Sequence, residues 1–119
     1  MNKHLFQQTK QLIYIDFELK TNAKNASDEN FEAFREHLAK AIESIMYGDM
    51  TFLLNALYRL DVSETRAMKA LNNQTKLPPK YALADLIIER EMQKVQSRLW
   101  YKERMKQQKV TVKDDIELW

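Results

Sequence analysis

The chain has 119 residues, of which 45% are hydrophobic and 30% are charged, and its formal net charge is +2. This length fits one domain with a single hydrophobic core. The chain contains one glycine, two prolines and no cysteine. So little glycine and proline cannot supply the frequent turns of a β-sandwich or barrel, and one glycine cannot form a glycine-rich phosphate loop. The lack of cysteine excludes disulfides, thiolate zinc sites and thiol nucleophiles.

The first segment of the chain fits two periodicities. Between residues 12 and 20, apolar side chains alternate with polar ones, which is a strand pattern. On a helix, however, Leu5, Leu12 and Leu19 share one line. A strand here has only residues 110–112 to pair with, so we predict a helix.

A second helix is predicted to begin at Ser27 or Asp28, because either side chain can accept a hydrogen bond from the first turn. Apolar residues then recur at intervals of three and four, namely Phe31, Phe34, Leu38, Ala41 and Ile45. This stripe predicts packing against other helices. Gly48 follows it at the position where a left-handed residue commonly ends a helix. Asp49 is expected to cap the next helix.

From Met50 to Leu60 the sequence is apolar on every side of a helix. This pattern predicts a helix in the middle of a bundle, with Leu54 and Leu57 in the core. Asp61 is predicted to cap a short following helix that ends near Leu71.

Two prolines, Pro78 and Pro79, suit the first turn of a final helix that runs to about Gln108. Its core line is spaced by three or four residues and comprises Tyr81, Ala84, Ile88, Met92, Val95 and Leu99. Beyond this line the helix is basic and is predicted to protrude. Together these elements predict an all-α, single-domain orthogonal bundle of four or five helices with a long C-terminal helix. The helical domain is expected to span residues 1–109, followed by a tail at 110–119.

Two segments carry a resemblance to a known family. They are residues 53–62, Leu-Leu-Asn-Ala-Leu-Tyr-Arg-Leu-Asp-Val, and residues 83–90, Leu-Ala-Asp-Leu-Ile-Ile-Glu-Arg. These segments resemble a family of small bacterial proteins with no assigned activity, and the match covers about the last two-thirds of the chain. The resemblance implies an all-helical cytoplasmic protein and transfers no catalytic residue.

The sequence contains no motif for catalysis or metal binding. Its two histidines, His4 and His37, lack the Glu-x-x-His pattern of a helical di-metal centre. No serine lies in a glycine-flanked elbow. On a helix Asp16 faces the apolar side, and we interpret it as a structural ion-pair partner of Arg59. The sequence therefore predicts a protein that is not an enzyme and uses no cofactor or metal.

The hydropathy of the chain predicts a cytoplasmic protein. No segment approaches the roughly 18 unbroken apolar residues that cross a bilayer. The first residues show neither an apolar signal region nor a small-residue cleavage site.

The basic end of the last helix is the first candidate interaction surface. Between residues 90 and 109 there are seven lysines and arginines and two glutamates, with aromatic residues interleaved. This composition is typical of contact with nucleic acid or anionic membranes, and also of a solvated helix face. The candidate residues are Arg90, Lys94, Arg98, Trp100, Tyr101 and Lys102. We predict a non-enzymatic interaction or regulatory protein that binds a protein partner or itself, as a homodimer.

The alternative function is DNA binding through residues 49–73. Residues 60–72 resemble the turn and second helix of helix-turn-helix repressors, which implies base or phosphate contacts by Arg66, Lys69, Asn72 and Asn73. Three features oppose it: Asp61 replaces the usual turn glycine, Leu57 stands where a small residue is usual, and the reading helix has a net charge near +1. Nucleic acid is therefore the second choice of partner.

Overall fold

Five α-helices make up the described part of the chain, residues 3–19 and 30–107, in a computed structural model. They are α1 (Lys3–Asp16), α2 (Phe31–Gly48), α3 (Met50–Leu60), α4 (Glu64–Leu71) and α5 (Pro79–Gln107). The long α5 packs against each of the other four helices. No strand occurs within the two described ranges. The predictions of an all-α fold and a long C-terminal helix are confirmed, whereas the tail at 110–119 lies outside the described residues.

The first segment is helical, as predicted, and α1 ends in a left-handed residue. Glu18 has a φ of 53°, and the Leu19 N–H donates to the Tyr14 carbonyl over 2.9 Å. This reversal closes the helix just after Phe17, which is buried. The last turn of α1 is thereby held against the rest of the bundle.

The core lies where α1, α2 and α3 meet α5. Its largest fully buried apolar side chains come from all four helices and are Ile13, Phe34, Leu38, Ile42, Leu53, Leu83, Ile87 and Val95. Phe34 of α2 meets the rings of Phe6 and Tyr14 edge-on, at centroid distances of 6.0 and 5.8 Å. Edge-on ring pairs of this kind add stability beyond the area they bury, so they fix α1 on α2.

The corner between α2 and α3 differs from the prediction. Gly48 is the last residue of α2 itself and does not have a positive φ, so the expected left-handed glycine is wrong. The Asp49 N–H donates to the Ile45 carbonyl over 2.7 Å, which satisfies the helix end without a left-handed residue. The Asp49 side chain accepts from the Phe52 N–H over 3.0 Å, which confirms it as the cap of α3.

The start of α2 also differs from the prediction. The capping side chain is Asn30, whose Oδ1 accepts from the Ala33 N–H over 2.8 Å. Ser27 and Asp28, the predicted caps, lie outside the described residues. The prediction placed the start too early because all three residue types can cap a helix, and the sequence does not show which one does.

The turn between α3 and α4 has two specialised residues. Asp61 adopts a left-handed conformation, with φ 62° and ψ 40°, and ends α3. The cap of α4 is Ser63, whose hydroxyl accepts from the Arg66 N–H over 3.3 Å. The prediction of Asp61 as a cap for α4 is therefore wrong; aspartate tolerates the left-handed region and serves here as a C-cap.

The prediction that α3 is buried on every side is also wrong. Its buried residues form one face and are Leu53, Ala56, Leu57 and Leu60. Leu54 is 45% exposed and Tyr58 is 86% exposed, so Leu54 is not a core residue. Apolar composition alone cannot distinguish a central helix from a peripheral helix that has an apolar outer face.

Polar contacts join α2 to the first turns of α5. Arg35 donates two hydrogen bonds to the Asp85 carboxylate, over 2.7 and 3.0 Å, which raises the pKa of the guanidinium. The Tyr81 hydroxyl donates to the Glu36 carboxylate over 2.7 Å, which raises the pKa of the phenol. These contacts fix the register of the two helices at the edge of the core.

Candidate functional site

The six residues predicted to form the basic interaction surface occupy three different environments. Arg90 makes structural contacts with the end of α3. Its Nε donates to the Leu60 carbonyl over 2.9 Å, and the Asp61 carboxylate lies 3.7 Å from its Nη2. The guanidinium therefore satisfies an orphan carbonyl at the end of α3. Arg90 acts as a clamp between α5 and α3.

Lys94 is half-buried and lines a cavity of about 260 Å³ between α1, α3 and α5. The cavity also contains the charged side chains of Asp16, Glu18 and Arg59. The predicted ion pair between Asp16 and Arg59 is wrong: the ion pairs of the described helices do not include these two residues, and the Asp16 carboxyl instead acts on the pKa of the buried Glu91. The two predicted partners share this cavity without an ion pair between them.

The other predicted surface residues lie on the outer half of α5. Arg98, Tyr101 and Lys102 are exposed and share a shallow apolar depression with Leu99. Trp100 is 61% exposed, and Arg104 lies over its ring at 5.2 Å. Residues two apart on a helix point in different directions, so Trp100 does not face the depression that contains Arg98 and Tyr101. The outer half of α5 thus presents two separate aromatic faces.

The four predicted DNA contacts are all exposed around α4 and the turn that follows it. Arg66 already forms an ion pair within the protein. It donates two hydrogen bonds to the Glu89 carboxylate, over 3.3 and 3.0 Å, and this contact raises the pKa of Arg66. Lys69 extends into solvent, whereas the Asn72 N–H donates to the Met68 carbonyl and helps to end α4. The Arg66 pair is exposed and therefore weak. A duplex phosphate must nevertheless displace Glu89 to reach that guanidinium.

A row of exposed apolar side chains on α3 is the feature that the sequence analysis missed. Met50, Leu54 and Tyr58 follow one another at intervals of four residues, with exposed fractions of 38%, 45% and 86%. Residues four apart on a helix lie on one face, so the three form a continuous strip, which we call the α3 row. The spacing was visible in the sequence, but the equally apolar opposite face concealed which side is exposed.

A second missed feature is Glu91, which is 0% exposed. Its neighbours four residues away on either side, Ile87 and Val95, are both buried. That spacing was the sequence signal, since an acid between two core positions on one helix line is expected to share their environment. No group of three or more possible metal-ligating side chains occurs among residues 3–19 and 30–107, so Glu91 does not belong to such a cluster.

Neither a protein-family model, nor a curated protein, nor a solved structure matches the chain. In the part that the structure describes, no helix combines the length and apolar character needed to cross a membrane. The family resemblance of residues 53–62 and 83–90 stays a prediction.

Proposed function

We propose that this protein is a non-enzymatic helical interaction protein whose first partner is a second copy of itself. The observation that carries the proposal is the α3 row, three large apolar side chains exposed side by side. Contiguous apolar surface of this kind marks contact sites, and methionine and tyrosine are enriched in them. A cytoplasmic location and membership of the bacterial family that the sequence resembles belong to the same proposal.

The α3 row is self-complementary. If two copies of α3 pair in antiparallel fashion about a twofold axis, Leu54 meets Leu54 of the second copy, and Met50 meets Tyr58. A twofold interface requires this kind of match, because the same patch serves both subunits. The single charged residue of α3, Arg59, lines the cavity instead of the row, so α3 itself adds no like charges to the pairing.

The size of the row predicts a weak dimer. Three side chains bury much less than the roughly 800 Å² per partner of a standard stable interface. The dimer should therefore dissociate on dilution through the micromolar range. Such a reversible contact suits a protein that exchanges partners.

Sedimentation equilibrium tests this proposal, with Leu54→Asp as the disrupting variant. Because Leu54 is 45% exposed, the change places a charge in the row without burying it, and the fold should survive. Arg98→Glu on the outer half of α5 is the control. We expect concentration-dependent dimers for the wild type and the control, and monomers for Leu54→Asp. A wild type that is monomeric at submillimolar concentration, or a Leu54→Asp variant that still dimerises, contradicts the proposal.

One observation favours the alternative of DNA binding. Asp61 adopts a left-handed conformation, which is the conformation that a turn glycine can supply in a helix-turn-helix. Fluorescence anisotropy with labelled duplexes at two salt concentrations tests this alternative. Salt-sensitive and sequence-selective binding that Lys69→Ala weakens would establish DNA as the ligand. Because Arg66 is held by Glu89 and α4 has only eight residues, we expect no selective binding.

A further inference from the structure

Glu91 is a buried acid that the proposed dimer does not use. Neither of its carboxyl oxygens has an aligned hydrogen bond within the described residues. An ionised carboxylate without partners is strongly disfavoured in an apolar interior, so such a group takes up a proton instead. Burial, and second the neighbouring carboxyl of Asp16, raise the pKa of Glu91 to about 8.

Asp16 occupies a critical position because it is the last residue of α1. It is half-buried and follows the core residue Ile13 by three positions, so it lies where α1 meets α5. The C-terminal end of a helix carries partial negative charge, which further disfavours a second ionised acid nearby. A second negative charge beside the Asp16 carboxyl is therefore disfavoured, so the buried Glu91 retains its proton.

Charged groups from each neighbouring helix affect the pair. Lys94 and Arg98 on α5 favour ionisation of Glu91, whereas Asp16 on α1 opposes it. Arg59 of α3 and Glu18, just after α1, line the adjoining cavity. The other helices present charges elsewhere on α5: α2 places Arg35 on Asp85 and Glu43 near Lys80, and α4 places Arg66 on Glu89.

We propose that Glu91 and Asp16 form a pH-sensitive latch, in which the proton on the buried Glu91 carboxyl keeps the last turn of α1 against α5. Loss of that proton leaves two negative charges facing each other across the helix contact, and the last turn of α1 moves away. The cavity beside Asp16 then widens toward Arg59 and Lys94. The remainder of the core, between α2, α3 and α5, stays in place.

Nuclear magnetic resonance of the full chain tests the latch directly. The chemical shifts of the Glu91 side-chain carboxyl carbon and of the backbone amides of residues 13–19 are followed from pH 5 to pH 10. These limits lie about 3 units below and 2 units above the Glu91 pKa of about 8. We expect both sets of signals to change together with a midpoint near 8. Glu91→Gln should abolish the change in the amides, because the amide side chain stays neutral. The control Glu103→Gln, at an exposed position on the same helix, should leave it unaltered.

Two results overturn the latch. One is a Glu91 carboxyl that titrates near the ordinary value of 4.5. The other is a carboxyl that titrates near 8 while the amides of residues 13–19 do not respond, since burial alone then explains the midpoint. Both readings come from the wild type, so they decide the question even if Glu91→Gln fails to fold. Asp16→Asn adds a directional check, because removing the neighbouring negative charge should lower the Glu91 midpoint.

Discussion

Replacing Gly48 by alanine tests the corner between α2 and α3. The sequence pattern predicts that this change lowers the free energy of unfolding, whereas the structure predicts that it raises it. Gly48 is the last helical residue of α2, it has no positive φ, and a Cβ placed there meets no atom within 4 Å. Alanine restricts the unfolded chain more than glycine and is the better helix former. Both effects are reduced at a helix end, so we expect Gly48→Ala to raise the free energy of unfolding by about 0.5 kcal/mol. For a domain of this size that gain corresponds to roughly 2 °C in Tm.

Urea denaturation followed by circular dichroism measures this gain. Asn73 supplies the matched control, because its φ of 58° lies in the left-handed region. Asn73→Ala should lower the free energy of unfolding by about 1 kcal/mol, whereas Asn73→Gly should not. If Gly48→Ala is destabilising by a similar amount, Gly48 is left-handed after all and the described corner is wrong.

Three further predictions concern the core, the clamp on α3 and the buried acid. Leu57→Ala should lower the free energy of unfolding by roughly 2–5 kcal/mol, because Leu57 is 4% exposed. Leu54→Ala should change the free energy of unfolding much less, because Leu54 is 45% exposed. Equal losses in urea denaturation would place both residues in the core. Arg90→Ala should lower the free energy of unfolding by about 1–3 kcal/mol, because the Leu60 carbonyl loses its charged donor. Arg98→Ala, at an exposed position, should change the free energy of unfolding by no more than about 0.5 kcal/mol. The pKa of Glu91 is raised in the fold, so the folded state retains a proton that the unfolded chain releases, and wild-type stability should fall as pH rises from about 4.5 to about 8. Glu91→Gln removes this dependence and should be more stable than the wild type at pH 7 by up to about 3 kcal/mol. This figure is roughly 1.4 kcal/mol for each pH unit above the ordinary Glu pKa of 4.5. If the variant shows the same pH dependence as the wild type, Glu91 is not the cause of that dependence.

Much of the helical layout was predictable because it depends on local signals. The apolar stripe that begins at Phe31 and the prolines before α5 identify two helices without knowledge of their partners. Asp49 was predictable as a cap, because an aspartate between two apolar helices has few other roles. The helix over residues 12–16 followed from a tertiary consideration, the lack of a convincing strand partner.

The candidate sites were less predictable, because each depends on distances between helices. Arg90 has the same helical spacing as the exposed basic residues after it, and only the end of α3 beside it makes it a clamp. Asp16 was correctly singled out as an acid near the core, but it acts on Glu91 and forms no ion pair with Arg59, which lines the same cavity. A sequence can indicate that a charge needs a partner, but it does not show which side chain from another helix comes near.

By itself, the sequence determined the composition-dependent properties of this protein: helices in place of strands over residues 3–19 and 30–107, no cysteine for thiol chemistry, no glycine-rich phosphate loop, and one long helix at 79–107. These properties follow from residue type and periodicity, which act over a few turns of chain. The tertiary structure alone decided which face of α3 is buried, where the left-handed residues lie, and that Asp16 of α1 is the acid beside the buried Glu91. The reason is physical: burial and pKa depend on the groups that other helices bring within a few ångströms, and those contacts join residues far apart in sequence, such as Asp16 and Glu91.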